Sequence, residues 1–152
     1  MEKTLVVLKP DAVEQGLQDE IKSRLTATGL KIVAEKEMRV DEAFATEHYA
    51  DLGIRRGEAI KNRMVRYLST GPVLAMIVEG ENAITEVRRI VGATLPSQAE
   101  AGTIRYDLGD KTETYENADG ADRAIRNLVH ASDAPETAAA EIKLWFPELS
   151  NE

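Results

Sequence analysis

Runs of apolar residues along the chain predict its strands. Thr4–Leu8 and Val73–Val78 are short, continuous aliphatic runs, which is typical of central strands covered on both faces. Leu30–Val40 alternates between apolar and charged residues, so we expect a strand with one solvent-facing side. A fourth strand is expected over Ile125–Val129, where apolar residues return after a polar segment.

Apolar residues at helical spacing predict helices between these strands. The first helix is expected over Asp11–Ala27, and the second over Glu42–Leu52 with Asp41 as its N-terminal cap. Asn82 is expected to cap a later helix in the same way. The remaining helical stretches are expected over Gly53–Thr70, Asn82–Val91 and Pro135–Leu144.

The order of these elements predicts an α/β fold of the α+β type. Strands and helices follow one another as β, α, β, two helical pieces, β, α, a long loop, β and α. That order fits a ferredoxin-like sandwich, in which helices pack on one side of a four-stranded antiparallel sheet. No internal repeat or linker divides the 152 residues, so we expect a single domain over 1–152.

Composition narrows the classes of function. The 19 basic and 27 acidic residues give a net charge of −8, which opposes non-specific binding to nucleic acid or to an anionic membrane. The absence of cysteine excludes disulfides and thiolate metal sites. The chain has no apolar run of membrane-spanning length and no signal-peptide pattern at its N-terminus, so we expect a cytoplasmic protein. Any anionic ligand then needs a local group of cations.

Two residues lie where phosphate chemistry is feasible. Lys9 follows the first strand, which Pro10 ends. His130 follows an apolar pair and precedes a helix start, so we expect it at a strand-to-helix corner with free N–H groups and a helix dipole. From the residues alone, each also has an ordinary alternative. Lys9 could be a solvated lysine at a strand end, and His130 could be a packed histidine.

Two polar segments separate the third and fourth strands. Gly92–Arg105 is expected to be a long loop with one helical turn, and long ordered loops are usually functional. Tyr106–Arg123 is the most polar stretch, and we interpret it as a solvent-facing excursion. Its acidic residues lack the order and the glycine of a calcium-binding loop.

Several short motifs lie in order around His130. They are V-V-L-K-P-D-A-V at Lys9, Gly71-Pro72, V-E-G-E-N-A, G-A-T at Gly92–Thr94, G-T-I-R at Gly102–Arg105, N-L-V-H-A-S-D at Asn127–Asp133 and the final E-I-K-L-W-F. Each is modestly specific, but their order and spacing argue against an accidental match. Together they resemble the nucleoside diphosphate kinase family over nearly the whole chain.

The resemblance implies transfer of the terminal phosphate of a nucleoside triphosphate to a nucleoside diphosphate by a ping-pong mechanism. His130 matches the residue that is phosphorylated, and neutral imidazole is a suitable nucleophile near neutral pH. Glu141 matches the glutamate that hydrogen-bonds the other ring nitrogen, and Tyr49 matches the tyrosine beside the histidine. With Lys9, these residues make up the expected catalytic group.

The resemblance also implies the nucleotide contacts. Lys9, Arg88 and Arg105 match the cations around the polyphosphate, where negative charge must be neutralised in the transition state. Thr94 matches a hydroxyl donor to the β-phosphate. Asn127 matches the contact to the ribose hydroxyl.

Two further residues and the assembly follow from the same resemblance. Ser132 matches a residue that supports the phosphohistidine and is counted among the nucleotide-binding residues. Asp133 matches the carboxylate near Mg²⁺, which would be held mainly by phosphates and water. Family members assemble as tetramers or hexamers, so a homo-oligomer is expected.

The sequence departs from the family pattern in two regions. The acidic segment at about 106–126 is longer than in most members, and Tyr106 stands where glycine is common. Gly53–Arg63 is also longer and lacks the aromatic pair that stacks on the base, so Ile60 is the nearest counterpart. We expect Ala131, in place of the commoner glycine, to be tolerated.

Two other functions are compatible with the fold. A regulatory module could keep the nucleotide pocket without turnover, and the altered base-stacking region and the acidic segment are its only support. An RNA-binding module is less favoured, because the strands lack exposed aromatic residues and the chain is acidic.

Overall fold

A four-stranded antiparallel sheet forms the centre of the computed structural model, which describes residues 1–50 and 56–149. The strands are β1 Glu2–Leu8, β2 Lys31–Met38, β3 Val73–Gly80 and β4 Val129–Ala131, in the order β2-β3-β1-β4. The predicted ferredoxin-like fold is therefore confirmed. β4 begins later than the expected Ile125, because Leu128 has a φ of 73° and cannot continue an extended strand.

Helices cover both faces of this sheet, so the expectation of helices on one side is wrong. On one face, Val6 and Leu8 belong to the same core as Ile21 and Val87. On the other face, Leu5 and Val7 belong to a core with Leu68 and Trp145. Successive side chains of a strand point to opposite faces, so a continuous aliphatic run needs cover on both. The helices are α1 Pro10–Glu14, α2 Gln18–Thr26, α3 Glu42–His48, α4 Glu58–Leu68, α5 Ala83–Val91, α6 Ile104–Leu108, α7 Tyr115–Gly120 and α8 Pro135–Trp145, with 3₁₀ turns at Pro96–Gln98 and Pro147–Leu149.

Two predicted helix boundaries differ from the structure. The helix expected over Asp11–Ala27 is divided into α1 and α2, because Gly16 adopts a left-handed φ of 73° between them. Asn82 precedes α5, but its side chain makes no capping bond. Instead, the Glu2 carboxylate accepts a hydrogen bond of 2.8 Å from the Ile84 N–H. The first residue of β1 therefore caps α5.

Other boundary predictions are confirmed in part. The Asp41 side chain accepts a hydrogen bond of 2.8 Å from the Phe44 N–H and caps α3. That helix ends at His48 and not at the expected Leu52, which lies outside the described residues, as does Gly53, the expected start of the next helical stretch. The long segment after Gly92 contains the single expected turn, at Pro96–Gln98. No helix in the described part of the chain has the length and apolar character needed to cross a membrane.

The acidic segment is folded onto the protein, so its interpretation as a solvent-facing excursion is wrong in part. Glu113 is only 3% exposed and binds both terminal nitrogens of the Arg123 guanidinium at 2.6 Å. The same carboxylate accepts a hydrogen bond of 2.7 Å from the Arg126 N–H. Ala118 of α7 is also buried. The acidic composition does not show that one buried carboxylate, that of Glu113, binds two other residues of the segment.

Gly92 offers a test of the packing beside α6. Its φ is 94°, and a Cβ placed there would lie 2.6 Å from Thr103 Oγ1 and 2.8 Å from Thr103 Cβ. Gly102 has the same φ of 94° with open space around the added carbon. We predict that Gly102→Ala lowers the free energy of unfolding by about 1–2 kcal/mol through backbone strain alone. Gly92→Ala should lower it by roughly 1–3 kcal/mol more, because the ψ of −178° at Gly92 lies in a region that essentially only glycine adopts and because the added carbon overpacks the site.

Urea denaturation of the two variants beside the wild type measures this difference. An equal decrease in the free energy of unfolding of both variants would show that the contact with Thr103 does not restrict residue 92.

Candidate active site

His130 lies inside the edge strand β4, so its expected place at a strand-to-helix corner is wrong. The strand pairs with β1, and His130 is opposite Val7 in the register. Ala131 is still paired, with Val6, and α8 begins only at Pro135. The ring is therefore positioned by sheet pairing and not by the start of a helix.

A buried carboxylate holds the His130 ring. His130 Nε2 is 2.8 Å from Glu141 Oε1, and the Ser132 hydroxyl donates to the same oxygen at 2.6 Å. Ser132 is itself fixed to β1, since its N–H donates to the Leu5 carbonyl at 3.2 Å. A carboxylate oxygen that receives two such contacts acts as an acceptor, so Nε2 carries the proton. The lone pair of the neutral ring is then on Nδ1.

A second histidine packs against the first. The rings of His48 and His130 meet edge to face with centroids 4.5 Å apart. Trp145 Nε1 donates to His48 Nδ1 at 3.0 Å, and burial lowers the pKa of His48 well below its usual value. His48 is therefore a neutral packing residue. Its contact with His130 was not predictable from sequence, because α3 and β4 are far apart along the chain.

Tyr49 follows His48 at the end of α3 and is also buried. The two rings pack edge to face with centroids 4.6 Å apart. Burial raises the pKa of the Tyr49 hydroxyl, and the nearby Glu141 carboxylate adds to the rise. The phenol therefore stays protonated at neutral pH and can donate a hydrogen bond.

Lys9 is a buried cation at the end of β1. Its Nζ donates to Asn127 Oδ1 at 2.9 Å, and Asn127 Nδ2 donates to the Thr94 carbonyl at 2.9 Å. Burial and, to a lesser degree, the positive charge of Arg105 lower the pKa of Lys9 to about 8, although Asp11 opposes the shift. Lys9 is thus mostly charged at neutral pH, and a bound anion would stabilise its charged form.

Arg105 fixes the backbone around the site. Its guanidinium donates to the carbonyls of Gly92 at 3.0 Å, Asn127 at 3.1 Å and Val129 at 2.6 Å. Burial and the neighbouring Arg88 lower the pKa of Arg105 to about 10, so it remains charged at neutral pH. Three carbonyl acceptors leave two of the five guanidinium N–H groups for a ligand.

The two adjacent arginines of α5 have different surroundings. Arg88 donates to the Ala131 carbonyl of β4 at 3.3 Å. Arg89 instead pairs with Glu86 on the exposed side of its own helix. Arg89 therefore lies on the solvent-exposed face of α5, whereas Arg88 faces the strand that carries His130.

A cavity of about 210 Å³ brings most of the predicted site residues together. We call it the inner cavity. Ile60 lines a neighbouring cavity of about 340 Å³, the outer cavity, and Ser132 is fully buried behind Glu141. The predicted residues that line the inner cavity are Lys9, Tyr49, Arg88, Thr94, Arg105, Asn127, His130, Asp133 and Glu141. Three cations beside one neutral nucleophile suit a polyanionic substrate.

The sequence matches one protein family over nearly its whole length. The family model described as Nucleoside diphosphate kinase matches residues 2–150. The nucleoside diphosphate kinase of Symbiobacterium thermophilum is 44% identical over 149 residues, which is 98% of this chain and 89% of that protein. The enzyme of the same name from Archaeoglobus fulgidus is 44% identical over 97% of this chain and 88% of its own length.

Solved structures show the same similarity. One is a transition-state mimic of the nucleoside diphosphate kinase of Borrelia burgdorferi with bound vanadate and ADP, with a TM-score of 0.91 and 39% identity over 95% of this chain and 86% of that one. An NDP kinase from Pyrobaculum aerophilum gives a TM-score of 0.88 and 36% identity, with 95% of each chain covered. The chain therefore belongs to the nucleoside diphosphate kinase family of phosphotransferases.

Proposed function

We propose that the protein transfers the terminal phosphate of a nucleoside triphosphate to a nucleoside diphosphate through a phosphohistidine at His130. One observation carries this proposal: Glu141 holds Nε2 of the ring, so Nδ1 keeps its lone pair in a cavity lined by cations. Nδ1 attacks the γ-phosphorus, and the bond from that phosphorus to the bridging oxygen breaks. The electron pair leaves with the nucleoside diphosphate.

The second half-reaction reverses the first with another nucleotide. A β-phosphate oxygen of the acceptor attacks the phosphorus, the P–N bond breaks, and its electron pair returns to Nδ1. Between the two steps the phosphorylated ring carries positive charge, since Nε2 keeps its proton. The Glu141 carboxylate at 2.8 Å stabilises that charge, and Ser132 keeps the carboxylate in place.

The cations bind the polyphosphate and offset the charge of a loose transition state. Lys9, Arg88 and Arg105 serve this purpose, and the Thr94 hydroxyl donates to the β-phosphate. Asn127 contacts the ribose hydroxyl through the amide that also positions Lys9. Tyr49 supports the His130 side of the cavity. Their common place on the cavity wall supports these roles.

The site fits a magnesium–nucleotide complex. Asp133 supplies a carboxylate on the wall of the inner cavity, and oxygen ligands suit Mg²⁺. Such an ion keeps several waters and binds through one or two carboxylates and the phosphates, so a dense protein ligand set is unnecessary. When bound, Mg²⁺ neutralises part of the phosphate charge.

Three further proposals concern the domain, the assembly and the location, and of these the assembly rests on the family resemblance. The chain forms a single domain, it assembles as a homo-oligomer of four or six copies, and it acts in the cytoplasm. A mass measurement in solution distinguishes a tetramer from a hexamer. Nucleoside triphosphates and diphosphates are its proposed partners, without nucleic acid or membrane.

Labelling tests the phosphohistidine. We expect incubation with γ-³²P-labelled triphosphate and magnesium to label the protein with an acid-labile, base-stable group, because a P–N bond to imidazole has that chemistry. The label should be lost in His130→Ala and should pass to an added diphosphate of another base. Arg89→Ala, which alters an exposed ion pair outside the inner cavity, serves as the control and should keep the label.

A stable label in His130→Ala would refute the assignment. Nucleotide binding without label or exchange would instead favour the regulatory module.

The pKa of Lys9 predicts how ADP binding depends on pH. The free protein holds Lys9 at a pKa of about 8, and bound phosphates favour the charged ammonium, so the complex binds more protons than the free protein above pH 8. The affinity for ADP should fall as pH rises above about 8, by up to about tenfold per pH unit. At about pH 9, binding should take up close to one proton.

Calorimetry in two buffers of different ionisation enthalpy measures the uptake. Lys9→Arg keeps the charge and should bind without this proton uptake, whereas Lys9→Met should bind weakly at all pH values. If the wild type takes up no proton at about pH 9, the Lys9 charge does not contact the phosphates.

A further inference from the structure

The outer cavity adjoins the inner one, and its wall is largely apolar, although Arg63, Asp119 and Arg123 also line it. The two cavities share four wall residues, Lys9, Met64, Thr94 and Asn127. Beyond these, apolar side chains of α4, of α7 and of the segment after α7 line the outer cavity, among them Ile60, Tyr115, Ala118, Ala124 and Ile125. A nucleotide with its phosphates at the inner cavity therefore has an apolar space beside it for its base.

Tyr115 is the one aromatic side chain among the described residues that line this cavity. It is 45% exposed, which makes it one of the few large apolar side chains at the described surface. A planar ligand that covers this ring would remove apolar surface from water, which favours binding. The ring is thus available to a ligand in the structure.

The backbone that carries Tyr115 is fixed in place. Tyr115 is the first residue of α7, and the Thr114 hydroxyl caps this helix by accepting from the Asn117 N–H at 3.0 Å. Arg63 of α4 donates to Asp119 at 2.6 Å and to Asp122 at 2.9 Å. The buried Glu113 anchors the preceding residues, as described above. The ring is therefore presented by a helix start that is bound to the opposite wall of the cavity.

We propose that Tyr115 stacks on the nucleobase of the bound nucleotide, with the aliphatic chains of Ile60 and Met64 on the other wall. This inference rests on the proposed function, because it takes the phosphates to lie in the inner cavity. Every base has a π-face, so stacking holds all bases without choosing among them. The acidic segment thus supplies the aromatic ring that the residues around Ile60 lack.

Binding of ADP and of tripolyphosphate to Tyr115→Ala tests the proposal. Removal of a stacking ring should weaken ADP binding by about 5- to 150-fold. Tripolyphosphate, which has no base, should bind as tightly as to the wild type. Tyr115→Phe keeps the ring and should bind ADP within about twofold of the wild type. GDP, CDP and UDP should lose affinity in Tyr115→Ala as ADP does.

Tyr106→Ala is the matched control. Tyr106 lies in the same segment beneath Lys111, whose Nζ is 4.4 Å from the ring centroid, and it does not line the outer cavity. This variant should bind ADP like the wild type.

Two outcomes would overturn the stacking role while the label on His130 still forms. In one, Tyr115→Ala binds ADP as tightly as the wild type. In the other, it loses tripolyphosphate and ADP affinity equally, which would show that the ring supports the phosphate site and not the base. Absence of the label from the wild type would overturn the proposed function separately.

Discussion

Backbone pairing between β1 and β4 is the constraint on which the site depends. The pairing covers only three residues of β4, and it places His130 beside the end of β1, where Lys9 begins the next turn. Leu128, directly before β4, adopts a left-handed conformation, which costs about 1–2 kcal/mol. Its N–H donates to Asp11 at 3.1 Å and its carbonyl accepts from Lys9 N–H at 2.8 Å, and these bonds offset the strain.

The electrostatics of the site oppose those of the whole molecule. The chain has a net charge of −8, yet the buried Lys9 and the half-buried Arg105 line the same cavity as His130. The positive charge of Arg105 adds to the lowering of the pKa of Lys9 by burial, that of Arg88 adds to the lowering of the pKa of Arg105, and Asp11 opposes both shifts only in part. A polyanion would relieve this repulsion, so a bound substrate supplies the negative charge that offsets these cations.

Local sequence patterns predicted much of the fold. The aliphatic runs located the central strands, and the Asp41 cap was readable because its partner is three residues away. Contacts between distant residues were not readable. Glu2 caps a helix that begins at Ala83, and the ring of His48 meets that of His130 only after folding. The family motifs indicated most residues of the inner cavity, whereas Tyr115 lies outside every motif, and only the folded acidic segment places it on the outer cavity.

The attachment of α7 to α4 has a consequence for salt dependence. Arg63 bonds to Asp119 and Asp122, whose side chains are 66% and 72% exposed, so added salt screens these pairs. The Ser132–Glu141–His130 chain is largely buried and includes a fully buried hydroxyl, so salt screens it much less. Rising ionic strength should therefore weaken the ion pairs between α4 and the α7 segment while the nucleophile keeps its orientation. Salt thus acts on the attachment of α7 to α4 and much less on the orientation of the nucleophile.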